Sequence, residues 1–229
     1  MPAGQVCNPC AAPCAAGQIP RWKDCYTMKT TEQTAQKYAK MFVRSLRKAG
    51  YQQPELFAAY KARFLQYAES PEYLRFSQFQ TMGVDKVFAA ITHAKICMEA
   101  GIPMEEALRI WETYTAGTIR RIFRGACRAI DLLPNGYRIL AGLLYKDAQQ
   151  RAKEKCLTYE MLSFTEQKLE YKITHCMYIE AFEAFGLRPF CKAVCNSDLC
   201  MQAMQKKARF IRYSDLADGD CCHDELVKQ

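Results

Sequence analysis

Six of the chain's 13 cysteines fall between residues 176 and 222: Cys176, Cys191, Cys195, Cys200, Cys221 and Cys222. A thiol can be a nucleophile once deprotonated, a soft metal ligand, or half of a redox couple, so this concentration poses three chemistries. The stretch GDCCHDE, residues 219–225, sharpens the question by setting a vicinal pair beside an imidazole and between acids. Cys191 and Cys195 are four apart and Asp198 follows three further on, so on a helix all three share a face. In an extended segment Cys221 and Cys222 point to opposite sides, with His223 on the side of Cys221. That alternation makes Cys222 the candidate functional thiol and Cys221 its packed neighbour, with Gly219 permitting the turn that delivers them.

Metal ligation is the rival chemistry. Cys7, Cys10 and Cys14, with Cys25 beyond, contain a C-x-x-C element but lack the second pair that zinc or iron–sulfur sites normally require. Cys176, Cys195, Cys222 and His223 would make a Cys₃His zinc site if the chain brought them together. His93 and Cys97 sit four apart on a helical pattern and lack further partners. No cofactor is required by these motifs, and zinc is the metal they would suit.

The elements that must position these residues are mostly helices. Half of the 229 residues are apolar and 12% aromatic, enough for a packed core, and no run approaches the roughly 18 apolar residues of a spanning helix. Residues 1–27 are rich in Cys, Ala, Gly and Pro without periodicity and read as a flexible extension. They lack the basic start and apolar centre of a secretory signal, which places the chain in the cytoplasm and its cysteines in the thiol state. From 28 to 164 the pattern is helical, with breaks at Gly50, Ser70-Pro71, Gly101-Ile102-Pro103 and Pro134-Asn135-Gly136. The longest helix carries Leu108, Trp111, Thr115, Ile119, Ile122, Ala126 and Ile130 at three- and four-residue steps, which predicts a buried stripe.

After residue 164 the period changes. Leu169, Tyr171 and Ile173 alternate with Glu170, Lys172 and Thr174, the pattern of a strand with one wet face. MYIEAFEAFG and the stretch after Pro189 read as helices, RFIRYSDLAD as a second strand and CCHDELVK as a third. The expected fold is α+β, mostly α: an N-terminal helical body, then a small strand–helix–helix–strand unit over 165–229. Pairing of the first two strands would gather Cys176, Cys195, Asp198 and Cys222. The formal net charge of +8 raises nucleic acid as a partner. However, the arginines between 120 and 151 fall mostly off the apolar stripe, no nucleic-acid motif accompanies them, and the last nineteen residues hold five acids against Arg212 and Lys228. Neither nucleic acid nor a membrane is the expected partner; a small-molecule substrate is.

The series ITHC, FGLRPF, CNSD and RFIRYSDLADGDCC resembles the C-terminal signature of the L-2-amino-thiazoline-4-carboxylic acid hydrolase family. The positions that match are Cys176, Gly186, Cys195, Asp198, Arg212, Ser214 (in place of Thr), Ala217, Gly219 and Cys222, while His223 and Asp224 replace the family's Asp-Phe. The resemblance covers about 60 residues and excludes the Cys-rich extension. It implies hydrolysis at a cyclic amidine-type C–N bond, turning L-2-amino-Δ2-thiazoline-4-carboxylate into N-carbamoyl-L-cysteine, a step toward cysteine. Cys176 or Cys222 would be the nucleophile, with Cys195 beside them and Asp198 as acid–base or amidinium-binding group. Arg212 would take the substrate carboxylate, and His175 or His223 would lower a thiol's pKa. A metal-binding or redox-sensing module, or a small-molecule-binding relative without catalysis, are the alternative readings.

Overall fold

The computed structural model describes the backbone of residues 22–229 and their side chains except those of 22–30, 198, 201 and 202. The extension carrying Cys7, Cys10 and Cys14 lies outside the described residues, as does the Cys25 side chain. Six helices come first: α1 (Trp22–Lys48), α2 (Leu56–Ala68), α3 (Pro71–Phe76), α4 (Val84–Glu99), α5 (Met104–Asp131) and α6 (Gly136–Lys153). β1 (Leu157–Phe164) and β2 (Lys168–Cys176) follow, then α7 (Met177–Glu183), a 3-10 turn over Arg188–Cys191, α8 (Lys192–Gln202), β3 (Ala208–Ser214) and β4 (Cys222–Lys228). The chain is α+β and mostly α. No helix among the described residues is long and apolar enough to cross a membrane.

Local chemistry accounts for the breaks. The chain reverses after α1 at Gly50, whose φ of +96° suits a residue without Cβ. α3 starts where the Ser70 side chain accepts the Tyr73 N–H at 3.1 Å and Pro71 supplies a ready helical φ. α4 is buried on nearly every side from Val87 to Cys97, which makes it the central post of the body. Around it pack Ala35, Ala39, Phe42 and Leu46 of α1, Tyr60 and Phe64 of α2, and Ile110 and Trp111 of α5.

The same core continues into the C-terminal elements. Ile179 and Phe182 of α7, Phe190, Cys191, Val194 and Cys222 all belong to it. Trp111 donates its indole N–H to the Ala193 carbonyl at 2.9 Å, and the Phe190 ring lies 6.2 Å from His93. A smaller core holds the far end of the sheet, where Tyr137, Leu140 and Ala141 of α6 meet Leu169, Ala208 and Leu226.

The sheet is antiparallel in the order β1-β2-β4-β3. Three expectations are corrected here. Leu157–Phe164, read as the tail of the helical body, is an edge strand: Lys155 takes a left-handed turn at φ +59°, and burial then alternates along Leu157, Tyr159 and Met161. The strands at 168–176 and 208–214 do not pair with each other, because β4 lies between them. The apolar stripe of α5 is buried only in its first half; beyond Thr115 the helix emerges, leaving Ile122 64% exposed and Ala126 exposed.

Candidate functional site

Strand register decides which side chains meet. Along β4, Cys222, Asp224 and Leu226 face the helices, and His223 and Glu225 face outward. In β2, strict alternation would put His175 on the face of Ile173 and turn Cys176 outward. The ladder with β1 skips Thr174: Tyr159 pairs with Ile173, Thr158 with His175 and Leu157 with Cys176. That bulge turns Cys176 inward beside the buried Leu157. A second bulge in β3, at Tyr213, lies between the pairs Arg212–Asp224 and Ser214–His223. Both strands flanking β4 are thus irregular next to the cysteines, a placement where bulges re-aim side chains.

The result is a cluster of thiols and one ion pair. Cys176 closes β2, Cys222 opens β4 opposite Ile173, and Cys191 and Cys195 come from the 3-10 turn and α8 with their sulfurs 3.7 Å apart. All described cysteines are free thiols. The charges that Cys176, Cys195 and Cys222 would carry act on one another and on Cys191, so the four share one electrostatic environment. Burial pushes the Cys176 thiol up to about 12; the amides of Tyr178 and Ile179 favour its thiolate without closing a cap hydrogen bond. Cys222 is pushed up to about 11, again by burial first, while the Leu216 N–H donated to its sulfur at 3.4 Å and the Arg212 cation pull the other way. Cys191 is raised further, by its contact with Cys195 and by burial.

Above these thiols, Arg212 and Asp224 face each other across β3 and β4. Arg212 donates Nε–H to Oδ1 at 2.8 Å and Nη2–H to Oδ2 at 3.1 Å, with the side chains only 13% and 3% exposed. Burial disfavours the guanidinium charge and the Asp224 bonds more than offset it, so Arg212 stays cationic. Its remaining nitrogen, Nη1, is buried and has no hydrogen-bond partner among the described residues. A buried donor left unmatched costs on the order of 1–3 kcal/mol, so it marks a place where a partner is wanted. Cys195 and Cys222 lie within the field of the same guanidinium.

The loop before β4 is built to hold Cys222. Asp215 accepts the Ala217 and Asp218 N–H groups, and a Cβ at Gly219 would stand 3.3 Å from the Asp215 carbonyl. Arg188 donates to the Leu216 and Gly219 carbonyls at 2.8 and 3.3 Å. Cys222 is the more buried of the vicinal pair; the Cys221 carbonyl accepts the Ser214 hydroxyl on the other side of the strand.

Of the residues singled out in the sequence, Cys176, Cys195, Cys222 and Arg212 come together. Asp198 lies on α8, with its side chain outside the described residues. The two histidines do not join: His175 is bonded to Glu180, which also takes Arg75, and His223 bonds Glu170 at 2.9 Å with its ring against Tyr213 on the outer face. The Cys₃His arrangement is therefore not formed, and no three His, Cys, Asp or Glu among the described residues are grouped to hold a metal. His93 and Cys97 serve the core. Burial takes His93 down to about 4 and Cys97 up to about 12, and the neutral ring donates to the Ala107 carbonyl at 2.9 Å. Cys191 and Asp224 are the site members that sequence reasoning passed over. The signal for Asp224 was its two-residue step from Cys222 along an alternating strand. Comparison with family models, curated proteins and solved structures finds no match to this chain.

Proposed function

We propose that this protein is a thiol-dependent hydrolase of a small, carboxylate-bearing cyclic amidine, the activity implied by the resemblance of its C-terminal segment to the thiazoline-carboxylate hydrolases. The observation that carries the reading is Nη1 of Arg212, a buried donor with no partner among the described residues, on a guanidinium whose field reaches Cys195 and Cys222. A substrate carboxylate is the group that such a donor recruits, and docking it there sets the rest of a small ring against the thiols. Electrostatics supports the amidine part. The thiols are held protonated chiefly by burial, and a bound amidinium adds positive charge next to Cys222.

The chemistry then follows in two halves. Cys222 loses its proton to solvent as the amidinium docks, and its thiolate adds to the ring carbon between nitrogen and sulfur. The bond from that carbon to the ring sulfur breaks, the sulfur leaves as a thiol after taking a proton, and the carbon stays bound to Cys222 as an isothiouronium. Water adds to this carbon, the Cys222 thiolate departs, and the product is the open N-carbamoyl amino acid. The net consumption is one water. The balance for L-2-amino-Δ2-thiazoline-4-carboxylate places the opened bond at C–S, whereas the resemblance alone suggested C–N.

Titration calorimetry separates the two recognition elements. L-2-amino-Δ2-thiazoline-4-carboxylate is expected to bind at least about tenfold more tightly than 2-aminothiazoline, which lacks the carboxylate. Equal affinities would remove Arg212 from substrate recognition and the proposal with it.

A further inference from the structure

The second half of α5, where the helix leaves the core, forms one wall of an open cavity of about 930 Å³. Arg120, Arg124 and Arg128 line it at four-residue steps, about 6 Å apart along one helix face. Lys206 and Lys207 line it from the segment between α8 and β3. Among the described residues Asp131 is the one acidic side chain on the lining, and its Oδ1 is engaged by the backbone N–H groups of Lys206 and Lys207 at 2.9 and 3.2 Å. None of the five cations is in an ion pair among the described residues.

The lysine wall is fixed in place. Besides the Asp131 clamp, Gln205 donates its amide to the Cys127 sulfur at 2.9 Å, and the Lys207 stem packs within 3.1 Å of where a Cβ on Gly136 would sit. The segment that carries the two lysines is thus tied to α5 and α6 by hydrogen bonds and packing. Like charges on opposite walls repel, and the repulsion is relieved by an anion lying between them. Three guanidiniums in a row, faced by two ammoniums, exceed what one phosphate or carboxylate engages. No aromatic side chain lines the cavity to stack a base, which separates it from a single-strand nucleic-acid groove.

We infer that this cavity binds a phosphorylated small molecule carrying at least two phosphate groups, at a site distinct from the cysteine cluster. The phosphates lie along the Arg120–Arg124–Arg128 row and are closed over by Lys206 and Lys207. A free polyphosphate ester and a lipid headgroup present the same chemistry, and the exposed Leu132 on the lining leaves room for an acyl chain in the second case.

The test uses tripolyphosphate in titration calorimetry at low salt, alongside cosedimentation with phosphatidylcholine vesicles that contain phosphatidylinositol bisphosphate and with plain phosphatidylcholine vesicles as the neutral comparison. The expected result is saturable binding of about one tripolyphosphate per chain, weakened about tenfold in an Arg124→Gln/Arg128→Gln variant and by rising salt. Arg121→Gln, on the flank of α5 away from this cavity, is the control and changes the affinity by less than about twofold. Both variants alter exposed helical positions, and circular dichroism checks their folding. Capture by the phosphatidylinositol bisphosphate vesicles alone, lost in the double variant, upholds the site and assigns it to a headgroup. Absence of binding to either probe, or a double variant that binds as well as the parent, overturns the inference.

Discussion

Arg212 and Asp224 hold the site together and leave one donor over, and these two jobs can be pulled apart. Removing Arg212 alone strands a buried carboxylate. Arg212→Leu is therefore expected to lose about 3–5 kcal/mol in urea unfolding, and Arg212→Leu/Asp224→Leu to recover most of that loss. Binding of the thiazoline carboxylate should stay lost in both; a double variant that binds as the parent does would show the arginine to be structural only. At a second residue, His93, the pKa near 4 against an ordinary 6.5 sets a pH dependence. The folded ring is neutral while the unfolded ring takes a proton below pH 6.5, so stability is full above 6.5 and falls as pH drops toward 4. The loss attributable to His93 is about 3 kcal/mol. A His93→Phe variant should show a flatter acid limb in pH-dependent urea unfolding, and an unchanged limb would remove His93 from the account. Single residues were also where sequence reading went furthest and then failed. Cysteine type and spacing located Cys176, Cys195 and Cys222, because a helical four-step and a strand end can be read directly. His175 was misplaced because one inserted residue, Thr174, swaps the faces of His175 and Cys176, and nothing in KLEYKITHC marks a bulge; His223 lies on the side of Cys221, as alternation put it.

Among elements, α8 links the site to the helical body. It carries Cys195 on a helix whose Ala193 carbonyl accepts the Trp111 indole, and it packs along α5. Trp111→Phe keeps most of the buried ring and leaves that carbonyl without its donor, so the expected cost is about 1–2 kcal/mol by urea denaturation. Weaker binding of the thiazoline carboxylate should accompany it, since α8 sets Cys195 against Cys222; unchanged stability and binding would show the link to be idle. Helices α1, α2, α4, α5 and α6 were legible because Gly, Pro and Ser-Pro breaks bound runs of regular apolar period, whereas α3, six residues from Pro71, is too short to show a period. The strands from 168 onward were legible by their alternation. β1 was not, since LTYEMLSF follows a helix whose turn is made by Lys155, a residue that gives no warning of a positive φ. The stripe on α5 misled for the opposite reason: its period is right to the end of the helix, but the body it packs on stops near Thr115.

For the whole molecule, one apolar core runs from α1 through α4 to Cys222, so the cysteine cluster lies at the seam between helices and sheet. Fold class was open to sequence reading because it depends on periodicity summed over many residues. Strand order was not, because it depends on which edge closes onto which helix, and β4 takes the centre of the sheet from the chain's last residues. The site inherits both facts: its members come from β2, the 3-10 turn before α8, α8, β3 and β4, and only the closed sheet assembles them. The proposed activity of this assembly is hydrolysis of a carboxylate-bearing cyclic amidine through Cys222. The direct measurement is mass-spectrometric detection of N-carbamoyl-L-cysteine after the reduced protein is incubated with L-2-amino-Δ2-thiazoline-4-carboxylate. The account predicts product with the parent chain and none with Cys222→Ala of unchanged circular dichroism; absence of product from folded parent protein, or undiminished product from Cys222→Ala, would contradict it.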